Sequence, residues 1–487
     1  MERQILSTNL KALTLNLDQS TYGVFAEIGG GQEVSRSFFQ AGGASGTIAK
    51  TISAYDKQYS DVLYSNQQIS KRYVSCQRLE EMLRCEYDQL VGVLQGKREK
   101  PTRFFVFADT VSTINYRKDN ISHGWIGCRF QLEQNDEPNE VIIHVELHER
   151  DNLLQQNTLG IVGVNLIYAC YFHHDRPNTF LQSLMDNLSP DRLDITMIRM
   201  NGPQLAYVDN RLLAVQLVKN GMTSAIMFDR YGMVQEPEDM LYKKNVLAFR
   251  GSFRPITYAG FDILKSSYAI FKRDEDYDKS NTLSFCEITL HNLLSQEEDD
   301  IDERDFLDRV DLLNGMGQNV MVSGFREFYK LVAYFSGFRI NKLRIVIGVD
   351  TLEKVFDKTY YSNLKGGMLE AFGKLFPDNM KMYVYPAIDG KSGKIKHSGD
   401  ISLPEDSAYL YKHLISARKI LDIKNINEKH LSIFSPMVLD KIKNKDNSWE
   451  KLVPVYVAES IKSKKLFGYK IGRASCRERV YISVVAV

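Results

Sequence analysis

The sequence predicts an α/β protein of several domains, with a mixed N-terminal sheet and at least one Rossmann-like parallel sheet. Three observations lead there. Short apolar runs of strand character alternate with stretches of helical period along most of the 487 residues. Apolar residues make up 44% and charged residues 25%, enough for a core in each of several domains. Glycine clusters follow strand-like runs where the chain turns into a helix.

The elements follow in order. Tyr22–Ile28 suits a strand, Glu33–Gln40 a short helix, and Ala41–Gly46 a loop. Arg78–Gln95 carries Leu79, Met82, Leu83 and Leu90 at helical spacing. Three strand candidates then come close together, at 103–110, 124–133 and 139–149. Their short polar links predict some antiparallel pairing. From Asp151 the chain reads as helical to about Leu188. A strand at 193–200, a helix at 209–220 and a strand at 223–228 continue in βαβ rhythm. The runs at 319–324, 343–350 and 380–386, with helix-like segments between them, predict a parallel doubly wound sheet. The expected division is 1–150, 151–273 and 282–470, with the polar stretch 274–281 as a linker.

Residues 471–487, IGRASCRERVYISVVAV, stand apart. Ile471–Val480 resembles one reading frame of a common sequencing adapter, so this tail is expected not to belong to the fold. Its three arginines and one glutamate leave the charge balance near zero.

Composition excludes several classes. There are 62 basic and 61 acidic residues, so no global basic field is available to hold nucleic acid. Six cysteines at 76, 85, 128, 170, 286 and 476 form no CxxC pair, which predicts no zinc ribbon and fits a reducing cytosol. The N-terminus has Glu2 and Asp18 and no long apolar core, so no secretory leader is expected. The most apolar stretch, Gly160–Phe172, has 13 residues, short of the roughly 20 of a membrane span. A soluble, cytoplasmic protein is expected, with no membrane and no nucleic-acid partner.

The strongest candidate site is FAEIGGGQEV, Phe25–Val34. A strand, a glycine turn and a helix N-terminus can cradle a phosphate, because backbone N–H groups and the helix dipole both face the anion. Gly29 and Gly31 fit the first two positions of a dinucleotide fingerprint, with Val34 at the third. Glu27 with the following glycines also resembles the acidic Glu-x-Gly-x-Gly turn of SAM-dependent methyltransferases. The candidate ligand-binding residues are therefore Glu27, Gly29, Gly30, Gly31 and Gln32. A glycine turn needed only for positive φ remains the alternative. The spacing around Lys50 fails the P-loop pattern.

Further candidates are weaker. Arg250 and Arg254 flank a Gly-Ser turn and could clamp a carboxylate or phosphate; surface ion pairs are the alternative. Ser323, Gly324 and Asp350 follow strand-like runs, where open α/β sheets bind ligands. His144, Glu146 and His148 fall on one face of a strand, in reach of a metal, although an ordinary half-exposed strand has the same pattern. No metal and no particular cofactor is expected, no catalytic residue can be assigned, and the oligomeric state is not legible.

FAEIGGGQEVSRSFFQAGGASGTIAKTISAYD, LGIVGVNLIYACYF and VLAFRGSFRPIT together resemble a bacterial family of about this length, over nearly the whole chain before the tail. Two names are attached to that family: nicotinate-nucleotide adenylyltransferase and TonB-dependent receptor. The first implies adenylyl transfer to a pyridine mononucleotide. The usual His-x-Gly-His of such enzymes is missing, His123-Gly124 being a fragment, so no catalytic residue carries over. The second implies an outer-membrane barrel of many roughly ten-residue strands, which this sequence does not supply. The expected function is an enzyme handling a nucleotide or phosphorylated metabolite. A non-catalytic metabolite-binding or scaffold protein, or a methyltransferase-like enzyme, is the alternative.

Overall fold

The computed structural model describes residues 3–64, 72–98, 100–275, 277–294, 301–390 and 392–470. The tail at 471–487, and residues 295–300 of the acidic run, lie outside the described residues. The chain is α/β with several sheets and forms two compact units. The first takes the chain up to Asp229, with Met233–Met240 and Met321–Gly324; the second takes Arg230–Gly232, Leu241–Val320 and the chain from Phe325 on. The expected boundary near 150 is therefore absent, and three regions become two units.

The first unit is built on a six-stranded sheet. Its strands are β1 (Thr21–Ile28), β2 (Ile48–Ile52), β3 (Arg103–Ser112), β4 (His123–Phe130), β5 (Asn139–Leu147) and β6 (Leu193–Asn201), in the order β2-β1-β3-β4-β5-β6. β1 runs parallel to both β2 and β3, and β3 to β6 are antiparallel neighbours. The β5–β6 pairing spans the expected boundary and joins the N-terminal and middle regions in one sheet. Short links explain the antiparallel half: a hairpin-length connection cannot cross back to make a parallel pair. Strands β7 (Ala225–Phe228) and β8 (Val234–Gln235) form a small antiparallel hairpin.

Alternation along the strands feeds two cores. Phe25, Phe105 and Phe107 point to one face, covered by α1 (Thr8–Leu17), α2 (Glu33–Ala41), α5 (Asn152–Phe172), α6 (Pro177–Leu184) and α7 (Asn210–Lys219). Val24, Ala26, Val106 and Ala108 point to the other, covered by α3 (Lys57–Tyr64) and α4 (Cys76–Leu94). Most of the apolar stretch at 160–172 is buried within α5, with Phe172 exposed at its end. No helix among the described residues is long and apolar enough to cross a membrane.

The second unit holds parallel strands β9 (Asn245–Arg250), β10 (Thr282–Thr289), β12 (Lys342–Gly348), β13 (Met380–Tyr385) and β16 (Ile420–Asp422), in the order β16-β13-β12-β9-β10. β11 (Asn319–Ser323) is divided between the units. β14 (Ala387–Ile388) and β15 (Ile395–Lys396) make a short hairpin. Helices α9 (Tyr258–Phe271), α10 (Glu303–Gly315), α11 (Phe328–Gly337), α12 (Val349–Val355) and α13 (Gly367–Leu375) lie between strands, preceded by the short α8 (Pro237–Leu241) and followed by α14 (Glu405–Ser416), α15 (Ser435–Lys443) and α16 (Val455–Lys464). β9 is the switch point of this parallel sheet, because β10 lies on one side of it and β12 on the other.

Candidate functional site

The glycine loop sits at the C-terminal end of β1, between parallel neighbours β2 and β3. This is the switch point of the first sheet, where open α/β sheets hold ligands. Gly29 (φ +91°) and Gly31 (φ +83°) lie in the left-handed region that favours glycine. Close approach binds the loop further. A Cβ on Gly29 would lie 1.9 Å from the carbonyl oxygen of Val111, and one on Gly30 would lie 2.6 Å from a methyl of Leu159 in α5. Gly31 and Gln32 are exposed, and among the described residues the N–H groups of Gly30, Gly31 and Gln32 meet no acceptor.

The helix that follows is already capped. Glu27 accepts the N–H groups of Val34 at 3.0 Å and Ser35 at 2.9 Å. Its carboxylate occupies the first turn of α2, where an anion gains from the helix dipole. Glu27 therefore points into the loop's own helix, although it was expected among the ligand-facing residues. Beside it on β3 stands Asp109, its register partner, which accepts the N–H of Ile28 at 3.0 Å. Both carboxyls are buried. Burial pushes both above the ordinary carboxyl range, and the charge of Glu27 pushes Asp109 further. With one backbone donor against two for Glu27, Asp109 is the carboxyl raised further.

α5 closes over this corner by means of its own glycines. A Cβ on Gly160 would lie 2.9 Å from Cβ of Glu33, and one on Gly163 would lie 2.4 Å from a methyl of Val34. The Gly-Ile-Val-Gly spacing lets α5 approach the start of α2.

In the second unit the arginines are taken. Arg250, at the end of β9, makes two bonds of 2.9 and 2.8 Å to buried Glu287 on β10, donates to the carbonyl of Arg326, and lies over the ring of Phe328. Arg254 donates to Asp305 at 2.5 Å, and Asp305 also pairs with Arg309. Carboxylates of the chain thus fill the role proposed for a bound anion. Asp350 lies in the first turn of α12, is mostly exposed, and approaches Lys396 at 3.7 Å. Arg250 and Asp350 do come to the C-terminal edges of adjacent strands β9 and β12. Ser323 and Gly324 belong to the first unit, where Gly324 donates its N–H to the carbonyl of Ser224 at 2.9 Å; Asp350 belongs to the second.

A cavity of about 390 Å³ in the second unit lies towards the opposite rim, lined by Leu247, Lys265, Tyr268 and Ser284 among others. None of the expected residues lines it. Lys50 pairs with Glu86 at 2.5 Å. The His144, Glu146 and His148 set does not converge: His144 is turned inward, and His148 pairs with Asp194 at 3.3 Å. Among the described residues no group of three or more His, Cys, Asp or Glu side chains is placed to hold a metal ion.

No family model matches this chain, and no curated protein matches it. Among solved structures, the chain is similar to a competence/damage inducible protein of Agrobacterium tumefaciens, at 11% identity and a TM-score of 0.25, covering 34% of this chain and 98% of that one. A likeness this low carries no argument.

Proposed function

We propose that the first unit binds a small molecule carrying a phosphate, a nucleotide or a phosphorylated metabolite, at the exposed side of the Gly29–Gln32 loop. One observation carries this reading: three successive N–H groups, of Gly30, Gly31 and Gln32, have no acceptor among the described residues at the switch point of a sheet. A phosphate oxygen answers such donors. Glu27 stays behind the loop, holding α2 rather than the ligand. Adenylyl transfer to a pyridine mononucleotide is the reaction that the resemblance implies, and no residue in the described site is assigned to it. A cytoplasmic location accompanies the reading, in keeping with cysteines that stay unpaired among the described residues.

Calorimetry with ATP and nicotinate mononucleotide, on the full chain and on Gly31→Val, tests the proposal. The variant is expected to lose binding. A Cβ there meets the side chain of Gln156 at 3.4 Å and a backbone that L residues rarely adopt, so the variant also loses stability, by roughly 1–3 kcal/mol. Equal affinity in both proteins, or none for either ligand in the unmodified chain, sinks the reading and leaves a turn.

A further inference from the structure

A second cluster lies on the other face of the same sheet and owes nothing to the glycine loop. Three side chains form a hydrogen-bonded line across β4, β5 and β6. Nδ1 of His123 is 3.0 Å from Nε2 of His144, and Nδ1 of His144 is 2.6 Å from Oγ1 of Thr196. The line exists because the β5–β6 register shifts at His144 and Val145: His144 pairs with Met197 and Val145 with Ile195, so Thr196 is the extra residue of a bulge. His144 is 2% exposed and packs against the ring of Trp125 at 4.7 Å.

One atom in the cluster has no partner. Oε1 of Glu236, a residue 7% exposed, makes no hydrogen bond and lies 3.9 Å from Nδ1 of His144. Its other oxygen accepts the N–H of Asp239 at 2.8 Å. A buried carboxylate oxygen without a donor is costly, and such atoms call for an explanation. At the opposite end, His123 is half-buried, and among the described residues Nε2 has no partner.

We propose that these residues form a proton relay, in which Nε2 of His123 exchanges a proton with a bound neutral or cationic N–H or O–H compound and Glu236 is the buried terminus. The step balances. Nε2 of His123 takes the proton from the compound, leaving the electron pair of the broken bond on its nitrogen or oxygen. The Nδ1 proton of His123 passes to Nε2 of His144, the Nδ1 proton of His144 passes to Oγ1 of Thr196, and the hydroxyl proton of Thr196 passes to Oε1 of Glu236. The compound loses one proton, the Glu236 carboxylate becomes a carboxylic acid, and both rings end neutral with their tautomers exchanged. Thr196 accepts from Nδ1 of His144 before the transfer and donates to it afterwards, so each state is hydrogen-bonded. Oε1 of Glu236, now 3.9 Å from Nδ1 of His144 and without a hydrogen bond, reaches the Thr196 hydroxyl by a side-chain rotation.

The surroundings fit this use. Burial, with His123 close by, holds His144 down at about 3, and burial lowers His123 as well, which favours neutral imidazoles in both rings. Burial raises Glu236 to about 7, where it can take and return a proton near neutrality. Glu238 and Asp239, with Arg72 paired to Asp239, surround His123, and Glu146 is its register partner. Carboxylates on this rim disfavour an anionic ligand, which separates this cluster from the phosphate reading of the loop. His123 is the acid–base group; His144, Thr196 and Glu236 are positioning residues that act through it.

The full chain labelled with 15N-histidine gives the test, by long-range proton–nitrogen spectra from pH 5.5 to 8.5. Nδ1 and Nε2 of both His123 and His144 are expected to exchange protonated for unprotonated character together, in one transition. In Glu236→Gln the transition is lost and both rings keep the acid-side tautomers. Fixed tautomers in the unmodified chain, or a transition unchanged in Glu236→Gln, overturn the relay. If that variant does not fold, the titration of the unmodified chain decides. Carbethoxylation supplies an independent check: His123 must react with diethyl pyrocarbonate in the native protein, and a His123 that stays unmodified while exposed His413 reacts overturns the proposal.

Discussion

The carboxylate of Glu27 accepts the backbone N–H of Ser35 at 2.9 Å, so the next-to-last residue of β1 caps the helix that follows it. A second bond, from Val34 at 3.0 Å, makes the cap two-pronged. Glu27→Ala should cost roughly 1–3 kcal/mol in urea unfolding, because two helix donors lose their acceptor inside the protein. Asp109 should then titrate closer to an ordinary carboxyl, since the neighbouring charge is gone. No loss of stability would mean that water replaces the carboxylate at no cost.

The glycines of α5 yield a paired prediction. Gly163→Ala would place a Cβ 2.4 Å from Val34 and 2.9 Å from Phe107, so it should destabilise by about 1–3 kcal/mol. Gly92→Ala in α4 meets nothing within 4 Å and should stabilise by about 0.5–1 kcal/mol. Thermal unfolding of the two variants reads the difference, and a shared direction would contradict the close α5–α2 approach.

Lys11 is 1% exposed and donates to Asp186 at 2.6 Å and to Asn165 at 2.8 Å; Arg3 also pairs with Asp186. Asp186→Ala should cost about 3–5 kcal/mol, because it leaves a buried ammonium without its counter-charge. Burial already lowers the Lys11 pKa, and it should fall further in this variant. The unfolded chain then binds more protons than the folded one, so the stability of the variant should rise with pH. Lys11→Met should cost less, since Arg3 still answers Asp186.

Two buried groups of the relay oppose each other in pH. Glu236 is raised to about 7, so the folded state holds a proton that the unfolded state has released; its contribution falls as pH rises from 4.5 to 7. His144 is lowered to about 3, so the unfolded state binds a proton that the folded state refuses; its contribution rises with pH between 3 and 6.5. Removing the first exposes the second. From pH 5 to pH 7, Glu236→Gln should gain about 1–2 kcal/mol relative to the unmodified chain in urea unfolding. Parallel stability curves for the two proteins would show that Glu236 titrates as an ordinary carboxylate.

Periodicity located elements of both sheets, although it marked nothing at β2, β10 and β16 or at the C-terminal helices α14, α15 and α16. Tyr22–Ile28, Glu33–Gln40 and Arg78–Gln95 fall on β1, α2 and α4 to within about two residues, because apolar spacing and helix starts are local properties. The same spacing marked 319–324, 343–350 and 380–386, where β11, β12 and β13 run. It could not reveal that β5 and β6 are neighbours, since that pairing crosses the whole α5–α6 excursion; two regions of one sheet therefore read as two domains.

For the candidate sites the division is sharper. The sequence by itself determined that a strand ends in three glycines before a helix, and that two arginines flank a glycine turn. Only the tertiary structure decided where the charges go. Glu27 turns to α2, Arg250 to Glu287, and Arg254 to Asp305, and in each case the chain supplies the opposite charge or dipole that a ligand would have offered. The His123–His144–Thr196 line was equally hidden, because it needs a bulge that moves one threonine into register with a histidine more than fifty residues earlier. Spacing along a chain reports which residues share a face. Which of them meet depends on long-range pairing, whose chain-entropy cost only the assembled core offsets.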